Sequence, residues 1–81
     1  MKYDLRFESR ALKDLRRLDM RISKRIVDRI EIMAEDLRGD VKKLTDHSPQ
    51  YRLRIGDYRV LFDIEDGTIV IQRIRNRREV Y

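Results

Sequence analysis

The 81-residue chain contains no cysteine, one proline, one histidine and three glycines. Without cysteine, neither a disulfide nor a thiolate zinc site can supplement the core, and nothing indicates an oxidising compartment. The single histidine, His47, leaves a metal centre short of its usual nitrogen ligands, so no metal and no other cofactor is expected. No stretch approaches the roughly 20 apolar residues of a membrane span. The opening MKYDLRFESR is charged throughout and lacks the apolar segment of a secretory signal. These absences predict a cytoplasmic protein with no membrane partner, folded as one domain over residues 1–81 around one modest core.

What the chain has in quantity is charge. Twenty Lys and Arg face fifteen Asp and Glu, a formal net charge of +5. Such an excess favours polyanions, because each neutralised phosphate releases condensed counterions, but it does not single one out. The alternative is that the charge merely solvates a small core. Where the charge sits must decide between them.

KYDLRF places Tyr3, Leu5 and Phe7 on one side and Lys2, Asp4 and Arg6 on the other, the period of a half-buried strand over Lys2 to Phe7. Ser9 is then positioned to cap a helix carrying Ala11, Leu12, Leu15 and Leu18. Asp19 is placed to cap a second. Its face is Ile22, Ile26, Ile30, Met33 and Leu37, with Gly39 as the left-handed stop. The short link between them makes the helices antiparallel neighbours. DVKKLTDHSPQ reads as a loop, with Val41 and Leu44 turned inward.

From Tyr51 the period becomes two. Tyr51, Leu53 and Ile55 alternate with Arg52 and Arg54, Gly56-Asp57 forms a turn, and Tyr58, Val60, Phe62 and Ile64 share a face opposite Arg59, Leu61 and Asp63. Asp66-Gly67 is a hairpin signal, both residues tolerating positive φ. Thr68 to about Arg75 completes a three-stranded antiparallel meander. The predicted fold is therefore α+β with two layers: an N-terminal strand, a helix pair, then the meander, the helices covering one face of a twisted sheet.

Alternation sends Arg52, Arg54 and Arg59 away from the helices, and the last strand and its continuation add Arg73, Arg75, Arg77 and Arg78. Guanidinium groups gathered on one side of a sheet repel one another, which points to an anion as their counterpart. The competing reading pairs them with Asp57, Asp63 or Glu79. On the second helix Arg21, Arg25 and Arg29, with Arg17 before them, form a basic stripe suited to docking on ribosomal RNA, unless Asp14, Asp28 and Glu31 offset it.

YRLRIGDYRVLFDIEDGTIVIQRIRNRREVY, preceded by ALKDLRRLDMRISKRIVDRIEIMAED, resembles the RelE-type toxins of the RelE/ParE superfamily over nearly the whole chain. The resemblance implies a toxin of a toxin-antitoxin pair that cuts messenger RNA in the ribosomal A site. In this chemistry the RNA's 2′-hydroxyl attacks the adjacent phosphate without a metal. Carried over by position, Arg59 would clamp the scissile phosphate, Arg77 would stabilise developing charge or protonate the leaving oxygen, and Tyr81 would stack on or orient the reacting nucleotide. Arg52, Arg54, Arg73, Arg75, Asn76 and Arg78 would contact RNA.

Arg52 and Arg54 stand where some relatives carry lysines implicated in activating the hydroxyl, Asn76 where many carry histidine and Arg75 where many carry glycine. Arginine does not readily give up its proton near neutrality and Asn76 can only hydrogen-bond. Proton transfer is thus left to the Tyr81 phenol, its carboxylate, or His47. The implied partners are a cognate antitoxin, the ribosome with bound message, and operator DNA through the antitoxin complex. Two alternatives remain: a gyrase-inhibiting toxin of the ParE branch, and a catalytically inactive member that serves as antitoxin partner and co-repressor.

Overall fold

The computed structural model describes residues 2–76 and 78. In chain order these form β1 (Asp4–Phe7), α1 (Ser9–Arg16), α2 (Met20–Asp36), β2 (Asp40–Lys43), β3 (Tyr51–Ile55), β4 (Tyr58–Glu65) and β5 (Thr68–Asn76). The strands make one sheet in the order β1-β5-β4-β3-β2. β2 to β5 pair antiparallel, and β1 returns parallel to β5. The two-layer α+β architecture expected from the alternation is present, with five strands in place of four.

The additional strand is β2, lying where the chain reads as a loop. Its register, Asp40 with Arg54 through Lys43 with Tyr51, leaves only Val41 facing the helices with an apolar side chain. Four residues with one inward hydrophobe do not produce a visible period. Short, charged edge strands of this kind also discourage further pairing. Leu44, expected to turn inward, is 45% exposed.

The helix boundaries differ by a few residues from expectation, for local reasons. Asp19 does cap α2, its Oδ1 accepting from the Arg21 N–H at 2.9 Å. The cap of α1 is Glu8, whose side chain makes no capping bond, and Ser9 is already helical. α2 stops at Leu37, which itself adopts the left-handed conformation (φ 59°) while its N–H bonds to the Met33 carbonyl. Gly39 has a different duty: its φ is +123°, and a Cβ there would lie 2.9 Å from Leu53 Cδ1. Gly39→Ala is therefore expected to lower stability by about 1–3 kcal/mol, seen as a lower melting temperature with an otherwise intact fold.

The core lies between layers. Ala11, Ile26, Ile30, Met33 and Ala34 from the helices meet Leu53, Ile55, Val60, Phe62, Ile69, Ile71 and Ile74 from the sheet. Tyr51 stacks on its cross-strand neighbour Phe62 at a centroid distance of 5.4 Å. With every inward position of the meander committed to this core, the arginines between them are turned to the opposite face.

Candidate nucleic-acid interface

Strand register brings the outward arginines together. Arg54 on β3 lies opposite Arg59 on β4, and Arg59 lies opposite Arg75 on β5. Neighbouring strands are about 4.8 Å apart, so three guanidinium-bearing residues form one line across three strands. Like charges directly opposite one another destabilise a sheet. Arg59 and Arg75 are part-buried, with their Nε atoms shielded from solvent, while Arg54 is exposed. Two residues along the strands, beyond the inward row of Leu53, Val60 and Ile74, a second row runs Lys42, Arg52, Leu61 and Arg73.

Two acids divide these arginines into different kinds. Asp40, at the end of the first row, accepts from Arg52 Nη1 at 3.2 Å and faces Arg54 Nε at 3.1 Å. Arg52 Nη1 also donates to the Asp40 carbonyl at 2.9 Å, and the Arg52 side chain is only 13% exposed. The hydrogen bond from Arg52, joined by the charges of Arg52 and Arg54 and a bond from Arg54, outweighs the opposing effect of desolvation and holds the Asp40 carboxyl below the usual carboxylate range.

Asp14 on α1 does the same for Arg73 at the opposite edge. Arg73 Nε donates to Asp14 Oδ2 at 2.9 Å and Arg73 Nη2 to Oδ1 at 3.3 Å. The Ile74 N–H donates to the same Oδ2 at 2.9 Å. β1 pairs with β5 only as far as Ile71, so the carboxylate takes over as hydrogen-bond partner where the strand neighbour ends. Burial acts to raise the Asp14 pKa, but the bonds from Arg73 and Ile74 and the charges of Arg73 and Arg75 outweigh it and leave the group below its ordinary value. Among the outward arginines, Arg52 and Arg73 are thus fastened to the framework. The partners are Asp40 and Asp14 and not the anticipated Asp57 or Asp63, while Glu79 lies outside the described residues.

The outward face is not open along its whole length. Asp63, 5% exposed, accepts from Ser48 Oγ at 2.6 Å, from the Gln50 N–H at 2.7 Å and from Gln72 Nε2. Its cross-strand partner Val70 is also buried. The segment between β2 and β3 folds back over that end of the sheet, so the basic rows are confined to the other end. No local motif announces this arrangement, since Asp63 reads in sequence as another outward acid. His47 rides on the folded-back segment but is itself exposed.

At the far end of β5, Asn76 is paired with Tyr58, and its Oδ1 accepts from the Arg78 N–H at 3.0 Å. Arg77 and Tyr81 lie outside the described residues. The basic stripe on α2 is not offset as anticipated: Arg21, Arg25 and Arg29 form no ion pair with Asp28 or Glu31, and Asp14 is engaged with Arg73. Arg17 belongs to the end of α1 and not to the helix that carries the other three. Among the described residues no three Asp, Glu, His or Cys side chains gather closely enough to hold a metal ion.

A helix pair on one face of a small mixed sheet, with arginines lined across the other, is the build of a known class of small basic toxins. Residues 5–81 match the family model of the ParE toxin of type II toxin-antitoxin systems. Toxin RelE3 of Methanocaldococcus jannaschii is 32% identical over 80 residues, covering 93% of this chain and 91% of the relative. Toxin RelG of Mycobacterium tuberculosis is 32% identical over 85 residues, covering 100% and 98%. The toxin-antitoxin complex RelBE2 of M. tuberculosis contains a chain that superposes with a TM-score of 0.82 at 30% identity, covering 95% of this chain and 100% of that one. A RelB-RelE complex of Methanococcus jannaschii gives 0.78 at 30% identity, with 94% of each chain covered. The chain therefore belongs to the RelE/ParE superfamily of type II toxins and is of the RelE type. No helix among the described residues is long and apolar enough to cross a membrane.

Proposed function

We propose that this toxin is a ribosome-dependent endoribonuclease, which acts in the cytoplasm on messenger RNA in the A site and is restrained by a cognate antitoxin. The observation that carries the reading is the line Arg54, Arg59 and Arg75 across three strands. When a 2′-hydroxyl attacks the adjacent phosphate, negative charge builds on the non-bridging oxygens. Guanidinium groups held in place beforehand stabilise that charge without having to reorganise.

In this reading Arg59, at the centre of the line and shielded on both sides by neighbouring strands, clamps the scissile phosphate. Arg54 and Arg75 hold the backbone on either side, and Asn76 and Arg78 contact the flanking nucleotide. Arg77 acts on the leaving oxygen and Tyr81 orients the reacting base. Arg52 and Arg73 chiefly set the shape of the groove, because Asp40 and Asp14 already satisfy them. No lysine or histidine stands in the described line, so the rate comes mainly from alignment and charge stabilisation, with the ribosome supplying alignment. Activity on naked RNA is then expected to be weak.

The solved relatives named above are toxin-antitoxin complexes, which supports a polypeptide antitoxin as partner, with operator DNA reached only through that complex. The matching ParE family model keeps a gyrase-directed toxin as the second reading. Induction in growing cells, with 5′ ends of messages mapped, separates them. Codon-phased cuts within translated regions are the expected result. Intact messages accompanied by double-strand DNA breaks would establish the gyrase reading, and unaffected growth would indicate an inactive co-repressor.

A further inference from the structure

The line of arginines does not stop at the sheet edge. Between α2 and the β2–β3 hairpin lies a cleft of about 370 Å³, with Arg25 and Arg29 on the helix wall and Arg38 and Arg54 on the other. Arg54 belongs both to this cleft and to the row with Arg59 and Arg75. Cationic side chains therefore continue from β5 across the outward face and, past the Asp40 carboxylate held by Arg52 and Arg54, into the cleft.

Arg25 and Arg29 make no hydrogen bond or ion pair with any described residue, although Asp28 and Glu31 lie on the same helix. An Nη of Arg25 stands over the β3–β4 turn, 4.0 Å from where a Cβ on Gly56 would project. Of the cleft's acid, Asp40, both oxygens are already occupied by Arg52 and Arg54. Arginines every four residues on one helix repel one another mildly, and no carboxylate among the described residues pairs with either of them.

The floor is apolar: Ile32, 43% exposed, sits beside Leu53. On the other side of Arg25 a smaller hollow of about 230 Å³ is lined by Tyr58. A basic track with apolar and aromatic platforms beside it is the pattern that holds a single nucleic-acid strand: the cations follow the backbone and the platforms take base or ribose faces.

We infer that this cleft is a second backbone subsite, which binds the phosphodiester chain of the RNA strand flanking the nucleotide on the arginine line. The inference rests on the RNA reading of the outward face. It adds Arg25, Arg29 and Arg38 as affinity-determining residues some distance from the reacting phosphate. RNA is favoured over an acidic polypeptide by continuity, since a strand with a charge at every nucleotide matches a cationic path that begins among Arg59 and Arg75 and ends in the cleft.

The test is an anisotropy titration of a short, fully 2′-O-methylated single-stranded RNA, which binds but cannot be cleaved, over a range of salt concentrations. Loss of two phosphate contacts should lower the slope of log affinity against log salt by about 1.4, at about 0.7 per single-strand contact. R25A/R29A is expected to show that change and to bind roughly tenfold more weakly at low salt, while R25K/R29K retains the slope. R6A/R10A, which removes two exposed arginines from β1 and α1, should leave it unaltered. Circular dichroism confirms that each variant is folded.

Equal slope changes in the cleft and control pairs would overturn the proposal, since the charge would then act without a defined site. So would wild-type RNA binding by R25A/R29A together with weakened binding of the antitoxin, which would make the occupant an acidic polypeptide. Failure of messages to be cut in cells bears only on the nuclease reading, because the titration involves no cleavage.

Discussion

Arg59→Ala is expected to slow single-turnover cleavage of message on programmed ribosomes by roughly 10²- to 10³-fold, the loss associated with one preorganised donor to a developing oxyanion. Ribosome affinity should change much less. Arg59 faces outward from a strand whose inward neighbours Tyr58 and Val60 belong to the core region, so truncation removes no inter-layer packing. It also relieves two cross-strand contacts between like charges, with Arg54 and Arg75. The variant should therefore lose toxicity while remaining folded, with only a small change in melting temperature. Full toxicity in Arg59→Ala would eliminate the assigned phosphate clamp, and a large fall in melting temperature would make the residue structural.

Removing the Asp14 carboxylate beside β5 is expected to act on stability instead. Asp14 is 11% exposed and receives two bonds from Arg73 and one from the Ile74 N–H. Asp14→Ala leaves a part-buried guanidinium and a backbone donor without their acceptor, a change of about 3 kcal/mol. For a domain of this size that corresponds to a fall in melting temperature on the order of 15 °C. Asp14→Asn keeps an acceptor oxygen and loses the charge, so it should fall between the two.

The same carboxylate makes stability depend on pH in a definite direction. Its folded pKa is depressed, so the unfolded chain takes up a proton first as pH falls. Its contribution is present in full above the unfolded-state pKa and is lost as pH drops through that value towards the folded one. Asp14→Ala should flatten this acid limb of the stability curve, as measured by thermal melts across the acid range.

Much of the fold could be read directly from local pattern. The two-residue period from Tyr51 to Glu65, the Asp66-Gly67 turn and the five-turn apolar stripe of α2 each repeat often enough to identify their elements. Asp19 needed only its own side chain and the N–H two residues on to act as a cap. β2 escaped notice because a four-residue edge strand with one inward hydrophobe has no period to detect. The stop at Leu37 escaped notice because a left-handed leucine is unusual, and its fit depends on packing against the core.

The candidate site divides in the same way. That Arg52, Arg54 and Arg59 share the face away from the helices follows from alternation alone, whereas Arg73 and Arg75 join them only because the register between β4 and β5 shifts at Leu61/Phe62, which alternation from Ile69 and Ile71 does not show. Nor does alternation show which of them are satisfied internally. Arg73 finds its acid 59 residues away on α1, and Arg52 finds its acid 12 residues away on a strand that could not be recognised in advance. Arg38, which pairs with Asp36 just beyond the helix end at 3.2 Å, has no pattern in the sequence that joins it to Arg25, Arg29 and Arg54, and only the cleft does so.

By itself, the order of residues determined a two-layer domain with positive charge on the uncovered side of its sheet, because side-chain periodicity dictates which residues must be buried and turns the others outward. The tertiary structure alone decided that Asp14 holds Arg73 and Asp40 holds Arg52 and Arg54, that Asp63 draws a connecting segment over one end, and that the cationic side chains continue into a cleft against α2. Those outcomes depend on distances between elements far apart in the chain. Coulomb attraction and hydrogen bonding act on such distances only once the core has brought the elements together.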